Sequence, residues 1–328
     1  MTQTPIAILG SSATGLSLAL ACAAADLPVR VVDPDTSALE RAQDFARKDD
    51  ARAAARITFH SDPSALAGAG MIFDALDMAE RDSHGLILPP DAVVATPYPT
   101  PLTGVALTRQ LRFVPFQPMQ LRHLTELTRF AETSDQTLAL WQDLAQKIGR
   151  VPVVLPDGAA SVGLHLQDHL HAACDDLLIR GAILWELDEA MTAFGFDLGF
   201  YEAQDLTGLD VAYARRKAQA QPSKIADRAV EEGRIGKKIG WGWYRYPGGG
   251  GAVIDPLIED LIREEAWFAG IDQRPFTGAE VMAAILDALR AALADIQAKG
   301  TVTSASDLRD IVVHGLGYPV SRLDAIGL

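Results

Sequence analysis

The chain has 328 residues, 48% hydrophobic and 22% charged, enough to bury two or three cores behind a surface of ordinary polarity. Its formal net charge of −14 repels phosphate backbones and anionic lipid heads, which argues against nucleic acid and membrane partners. The two cysteines, Cys22 and Cys174, sit in apolar helical stretches with no CxxC or metal spacing, so they are expected to be buried free thiols in a reducing compartment.

The first residues enter a strand directly, with no charged region ahead of an apolar stretch, unlike a signal peptide. The most apolar run, Leu16 to Ala25, is short of a bilayer span, and a cytoplasmic protein is expected. Ile6 to Leu9 reads as a strand ending at Gly10, Thr14 to Ala25 as a helix, and Val29 to Val32 as a second strand ending at Asp33. This is a βαβ unit. Helical sequence follows from Thr36 to Ala55, then short strands at Ile57–Phe59, Met71–Ala75, Ala92–Thr96, Arg112–Phe116 and Val151–Leu155. The fold class is therefore an α/β N-terminal Rossmann domain.

The turn after the first strand is Gly10-Ser11-Ser12-Ala13-Thr14-Gly15. A dinucleotide fingerprint has glycine at its first, third and sixth positions, with a carboxylate about 20 residues on for the ribose. Gly10, Gly15 and Asp33 fit; Ser12 replaces the middle glycine, where the diphosphate approaches the backbone. Ser12, Ala13 and Thr14 open the helix, whose free N–H groups suit a diphosphate. Asp33 would repel a 2′-phosphate, so NAD is expected rather than NADP. Ala75 and Thr96, at the ends of two further strands, complete the expected cofactor set.

After Asp157 the periodicity becomes helical: Val162–Arg180 stopped by Gly181, Trp185–Phe194, Ala203–Ala218, and a final helical region from Pro256. A Gly- and aromatic-rich loop spans Gly233–Tyr246, and Gly248–Gly251 is the strongest linker signal. Leu166–Gly181 is similar to Ile285–Gly300, and each is followed by an aspartate (Asp188, Asp307) and a Gly-aromatic turn. An all-α C-terminal region of two related helical repeats is expected. The domain reading is residues 1–156 for the nucleotide domain, 157–250 for the first helical domain and 251–328 for a shorter second repeat.

Three stretches then carry a resemblance. Gly195–Asp210 (GFDLGFYEAQDLTGLD), Gly233–Tyr246 (GRIGKKIGWGWYRY) and Gly315–Pro319 (GLGYP) resemble signatures of the 3-hydroxyacyl-CoA dehydrogenases, especially the dehydrogenase part of the long bifunctional β-oxidation proteins. The resemblance implies hydride transfer between NAD and a 3-hydroxyacyl-CoA or related hydroxy acid. A His–Glu dyad would handle the proton, with a serine and an asparagine on the substrate oxygen. It also implies a small-molecule, acyl-CoA partner and a monomer or homodimer, the second repeat replacing a partner subunit.

The family's dyad segment matches Val114 to Glu126. Glu126 stands at the glutamate position, but Val114 occupies that of the histidine and carries no proton. Pro97-Tyr98-Pro99 replaces the segment with the serine, with Thr100 beside it, and Leu164 falls near the asparagine. The stretch between Ala75 and Ala92 is short of the family's usual helix. Two readings follow. The base has moved, with His123 pairing with Glu126 across one helical turn, or with His165, Asp168 and His169 sharing a helix face; or the chain is a catalytically silent homologue that binds NAD or acyl-CoA or supports a partner. The candidate catalytic set is Glu126, His123 and Thr100, with no metal. The Arg215–Lys217 run and Arg234, Lys237 and Lys238 read as solvated or structural cations in preference to CoA-binding groups.

Overall fold

The computed structural model describes residues 5–76, 81, 83, 84, 86–302 and 304–328. The chain forms two compact units, Met1–Ser161 and Val162–Leu328.

The first unit is built on one eight-stranded sheet: β1 (Ile6–Leu9), β2 (Val29–Val32), β3 (Ile57–His60), β4 (Met71–Asp74), β5 (Val93–Thr96), β6 (Gln110–Pro115), β7 (Leu124–Arg129) and β8 (Val151–Leu155). Its order is β3-β2-β1-β4-β5-β6-β7-β8. The first six strands run parallel, β7 is antiparallel to β6, and β8 is parallel to β7. The six parallel strands have the doubly wound dinucleotide order, which reverses beside β1 and so opens a crevice beyond the strand ends there. One face buries Ile8, Phe73, Phe113 and Leu127 with Leu18 and Trp141. The other buries Leu9, Ile72 and Val94 with Leu66, Leu88 and Leu102.

Helices α1 (Ala13–Ala24), α2 (Thr36–Asp49), α3 (Ala51–Ala54) and α4 (Asp135–Lys147) belong to this unit. The single helix expected over Thr36–Ala55 is interrupted at Asp50. Its carboxylate accepts from the amides of Arg52 and Ala53, both at 2.9 Å, and starts a new helix by side-chain capping. A larger correction is β7. The helical turn expected to join His123 to Glu126 is strand: Leu124–Arg129 is covered on both faces, while its two apolar residues, Leu124 and Leu127, stand three apart, a spacing that imitates a helix. The short stretch between Ala75 and Ala92 lies partly outside the described residues, as do residues 1–4 of the expected leaderless N-terminus.

The second unit is helical: α5 (Val162–Ile179), α6 (Leu184–Phe194), α7 (Phe200–Thr207), α8 (Leu209–Gln219), α9 (Lys224–Glu231), α10 (Pro256–Phe268), α11 (Gly278–Lys299) and α12 (Ala305–Leu316). The helix expected over 203–218 is two, parted at Gly208, whose φ of 102° favours glycine. The expected third segment, 251–328, lies within this unit.

Two buried aspartates organise the Gly- and aromatic-rich loop. Asp188 accepts from the Tyr201 and Glu202 amides at 2.9 and 3.0 Å, which caps α7, and from the Tyr244 hydroxyl at 2.9 Å. Asp205 accepts from the Trp243 and Tyr244 amides, both at 2.8 Å, and from the Tyr246 hydroxyl at 3.0 Å. A methyl group on Gly199 would collide with Asp188, and one on Gly242 with Asp205. Trp243, Tyr244 and Tyr246 of the loop, all buried, thus serve packing.

The similarity of the two helical stretches has structural counterparts. Leu166, Leu170, Cys174 and Leu177 on α5 are buried, as are Ile285, Leu289, Leu293 and Ile296 on α11. Arg180 pairs with Asp176 at 3.1 Å, and Lys299 with Asp295 at 2.7 Å. Both stretches end on a positive-φ glycine, Gly181 and Gly300. Helix α5 packs on α11, while α6 packs on α11 and α12 on α5, the reciprocal pattern of an isologous contact. Phe196 and Tyr318, from the two Gly-aromatic turns, stack edge to face at 5.2 Å.

Gly242→Ala is expected to cost roughly 3 kcal/mol or more, through overpacking and loss of the Asp205 hydrogen bonds. Burial pushes Asp205 up to about 7 from 3.8, so the folded chain holds a proton there between these values that the unfolded chain releases. The stability tied to this proton is present at low pH and is lost as pH rises from about 4 through about 7. Asp205→Asn cannot titrate and has a lower melting temperature throughout. Calorimetric melting should show the wild-type advantage widening as pH falls from about 8 to about 5. A constant gap would refute the titration.

Candidate functional site

Gly10 has a φ of 96°, and a side chain there would meet the backbone of Ala75 and Leu76 at 3.1 and 2.9 Å. A methyl on Gly15 would strike the Gly10 carbonyl. Both glycines are therefore required, one by backbone conformation and one by the closeness of α1 to β1. Ser12 has an ordinary negative φ of −57°; its hydroxyl caps α1 by accepting from the Gly15 amide at 3.3 Å. The next amides, of Ala13 and Thr14, have no acceptor among the described residues and head a helix whose dipole favours an anion.

Asp33 lies at the tip of β2, 5% exposed, with its carboxylate facing the glycine turn. One oxygen accepts from the Ser11 amide at 2.7 Å and the Ser11 hydroxyl at 2.5 Å; the other accepts from the Asp35 amide at 2.9 Å. A carboxylate has roughly four acceptor positions. Three are filled, which leaves one on Oδ1 for a first ribose hydroxyl, and a second hydroxyl reaching Oδ2 would have to displace Ser11. The turn, the open amides and Asp33 fit a dinucleotide, with Ser11 acting as an internal latch. Ala75 is buried and donates its amide to the Leu9 carbonyl at 2.7 Å. Thr96 is fully buried, with its hydroxyl accepting from the Tyr98 amide at 3.3 Å. Both shape the strand ends.

Further along the sheet, Thr96 pairs with Arg112 and Arg112 with Thr128; Val114 pairs with Glu126 and Glu126 with Val153. Val114 and Glu126 are thus direct cross-strand neighbours, on the face opposite the Phe113–Trp141 core. Glu126 is 1% exposed. Ser161 donates its hydroxyl to Glu126 Oε2. Arg112 gives its Nε proton to the Pro97 carbonyl at 3.2 Å. Burial lowers its affinity for its proton, and the charge of Glu126 opposes that.

Arg150 fixes the connection between β6 and β7. It donates to the carbonyls of Phe116, Met119 and Leu124 at 3.1, 2.9 and 2.7 Å and to the Thr125 hydroxyl at 3.2 Å. Burial brings its guanidinium down to about 10. These bonds supply donors to the carbonyls of Phe116 and Met119 and a second donor to that of Leu124, which also accepts from the Phe116 amide at 3.0 Å.

The sequence expectations divide here. Val114 and Glu126 come together. His123 is exposed, ahead of β7, and strand geometry sends residues three apart to opposite faces, so its pairing with Glu126 does not form. Thr100 is exposed on the loop after β5. In the second unit, His165 and His169 stack with ring centres 4.6 Å apart, His165 Nε2 lies 3.3 Å from Asp295 on α11, and Asp168 pairs with Arg215. The shared face of these three is spent on neighbouring helices. The cations are internally matched as well: Arg216 with Asp227 at 2.6 Å, Arg234 with Asp255 at 2.9 Å and Lys238 with Asp210 at 2.6 Å. Arg112 and Ser161 were not singled out from the sequence. Arg112 stood inside an apolar strand, a recognisable signal; Ser161 gave none.

Residues 100–158 match the 3-hydroxyacyl-CoA dehydrogenase NAD binding domain, and residues 166–246 its C-terminal domain. The first match covers the Glu126 half of the sheet. A peroxisomal bifunctional enzyme of Cavia porcellus is 26% identical over 96% of this chain and 49% of its own length; the chain spans about half of that relative. Two solved structures share the fold. The dehydrogenase part of multifunctional enzyme 1 from C. elegans has a TM-score of 0.67 at 18% identity, over 97% of this chain and 79% of that one. The 3-hydroxybutyryl-CoA dehydrogenase from Escherichia coli has a TM-score of 0.65 at 17% identity, over 99% and 93%.

Replacing Ser11 by alanine frees an acceptor position on Asp33. NADH is expected to bind Ser11→Ala about threefold to tenfold more tightly than wild type, and Asp33→Ala about tenfold or more weakly. Titration of nicotinamide fluorescence measures both. Equal affinities in all three proteins would refute the assignment of Asp33 to the ribose.

Proposed function

We propose that this chain, a relative of the 3-hydroxyacyl-CoA dehydrogenases, is an NAD-dependent oxidoreductase acting on a 3-hydroxyacyl-CoA or related hydroxy acid. The observation that carries the reading is the Gly10 turn, with its open α1 amides and the Asp33 carboxylate, at the point where the strand order reverses. Ala13 and Thr14 would hold the diphosphate through their amides, and Asp33 the adenosine ribose. Bound there, the nicotinamide would accept or return a hydride. Glu126, with Ser161 and Arg112 around it, would serve the proton of the reacting oxygen.

No described helix is long and apolar enough to cross a membrane. The two buried free cysteines, Cys22 and Cys174, support the cytoplasmic setting we propose for the present chain. The reciprocal packing of the two helical repeats supports a chain that needs no second copy to complete its helical unit, so a monomer is the proposed state.

A second reading has its own support. Val114 puts hydrocarbon directly beside Glu126, and Ser11 occupies Asp33. A silent homologue that binds NAD or acyl-CoA without turning either over fits both observations.

Nicotinamide absorbance with NADH and a series of short, medium-chain and aryl 3-oxoacyl-CoA compounds decides between them, alongside calorimetric titration of NADH. Binding with turnover is the expected outcome. Binding without turnover selects the silent homologue, and the absence of binding removes the dinucleotide assignment.

A further inference from the structure

We propose that Ser161 is the proton-carrying group of the site, a hydroxyl relay between the reacting oxygen of the substrate and Glu126. The proposal rests on the dehydrogenase reading and deepens it by naming a group that does the work Val114 cannot.

Glu126 is sealed in the sheet face with 1% of its surface exposed, and Ser161 donates to its Oε2. Ser161 follows β8, the strand that flanks β7, and Val153 of β8 pairs with Glu126. The chain therefore returns over the face from which Glu126 and its neighbour Val114 project. The Ser161 hydroxyl is in direct hydrogen-bond contact with the carboxylate oxygen that would receive the proton.

A serine hydroxyl donates one hydrogen bond while accepting others. It is too weak a base to hold a proton by itself. It can pass its own proton to a carboxylate in the same step in which it receives another. Arg112, whose charge interacts with that of Glu126, favours the ionised carboxylate that such a step requires.

In the oxidative direction, the carbinol C–H bond breaks and its electron pair leaves with the hydride for the NAD named above. The O–H bond of the substrate breaks as its proton moves to Ser161 Oγ. The Ser161 proton moves to Glu126 Oε2, and the carbon–oxygen bond becomes a carbonyl. Serine ends as it began, and Glu126 carries one proton, which it later yields to solvent. Reduction runs the same steps backwards.

Ser161→Ala, Ser161→Thr and Glu126→Gln in the full chain test the relay. With whichever 3-oxoacyl-CoA the wild type reduces, Ser161→Ala should lower kcat about 100-fold or more, in the range of a lost general acid or base. KM and the NADH dissociation constant should stay within about threefold. Ser161→Thr, which keeps the hydroxyl, should stay within about tenfold of the wild-type kcat.

A second measurement needs neither cofactor nor turnover. The carboxyl 13C signal of Glu126, assigned by its disappearance in Glu126→Gln, should titrate at higher pH in Ser161→Ala, because a lost donor disfavours the ionised form. Turnover that survives in Ser161→Ala, or a Glu126 titration that does not move, overturns the relay while leaving the dehydrogenase reading intact. A wild-type chain that binds NADH but reduces none of the compounds overturns both.

Discussion

A carboxylate withdrawn from water must be met by donors or by opposite charge, and Glu126 sets this demand on the first unit. Its side chain projects from β7, the middle of the strands β6-β7-β8, where desolvating an ion costs several kcal/mol unless partners replace the water. Ser161 supplies a hydrogen bond and Arg112 a neighbouring charge. Arg150 holds the β6–β7 connection through four bonds, and so keeps the register that puts Val114 and Glu126 side by side. The local chain path after β8 can be read as the geometry that brings a hydroxyl to this acid.

The second unit meets the same demand in another way. Asp188 and Asp205 are buried and take backbone amides and tyrosine hydroxyls. They act as brackets that fold the Gly- and aromatic-rich loop onto α6 and α7. Gly199 and Gly242 are small because these carboxylates stand where their side chains would be. Two of the stretches that carry the family resemblance, Gly195–Asp210 and Gly233–Tyr246, are therefore explained by packing within the second unit, while Val114 and Glu126 belong to the first.

Much of this was legible in the sequence. Gly10, Gly15 and Asp33 were placed by spacing alone, because tight turns and close helix–strand approach leave few residue choices. The stop at Gly181 was legible for the same reason, whereas the one at Gly300 fell inside a region read as helical from Pro256 onward. The strand at Leu124–Arg129 was not, because a strand covered on both faces loses the alternation that marks its period, and the spacing of His123 and Glu126 imitated a helix. Asp50 and Gly208 broke helices whose apolar pattern ran on unbroken. Ser11 and Ser161 were invisible because a serine takes its meaning from the partner folding brings to it. Ser12, read as a compromised glycine, has a conformation open to any residue and earns its place as a cap.

The reciprocal contact of α5 and α6 with α11 and α12 has a consequence for how such a surface can change. Across the two-fold axis of a homodimer every substitution arrives twice, so a charge placed near the axis faces its own copy. Here the two halves of the contact are encoded separately. His165 can face Asp295 while Ala284 holds the corresponding place on α11. The contact is thus free to become lopsided, with one half specialising while its counterpart serves only as a wall.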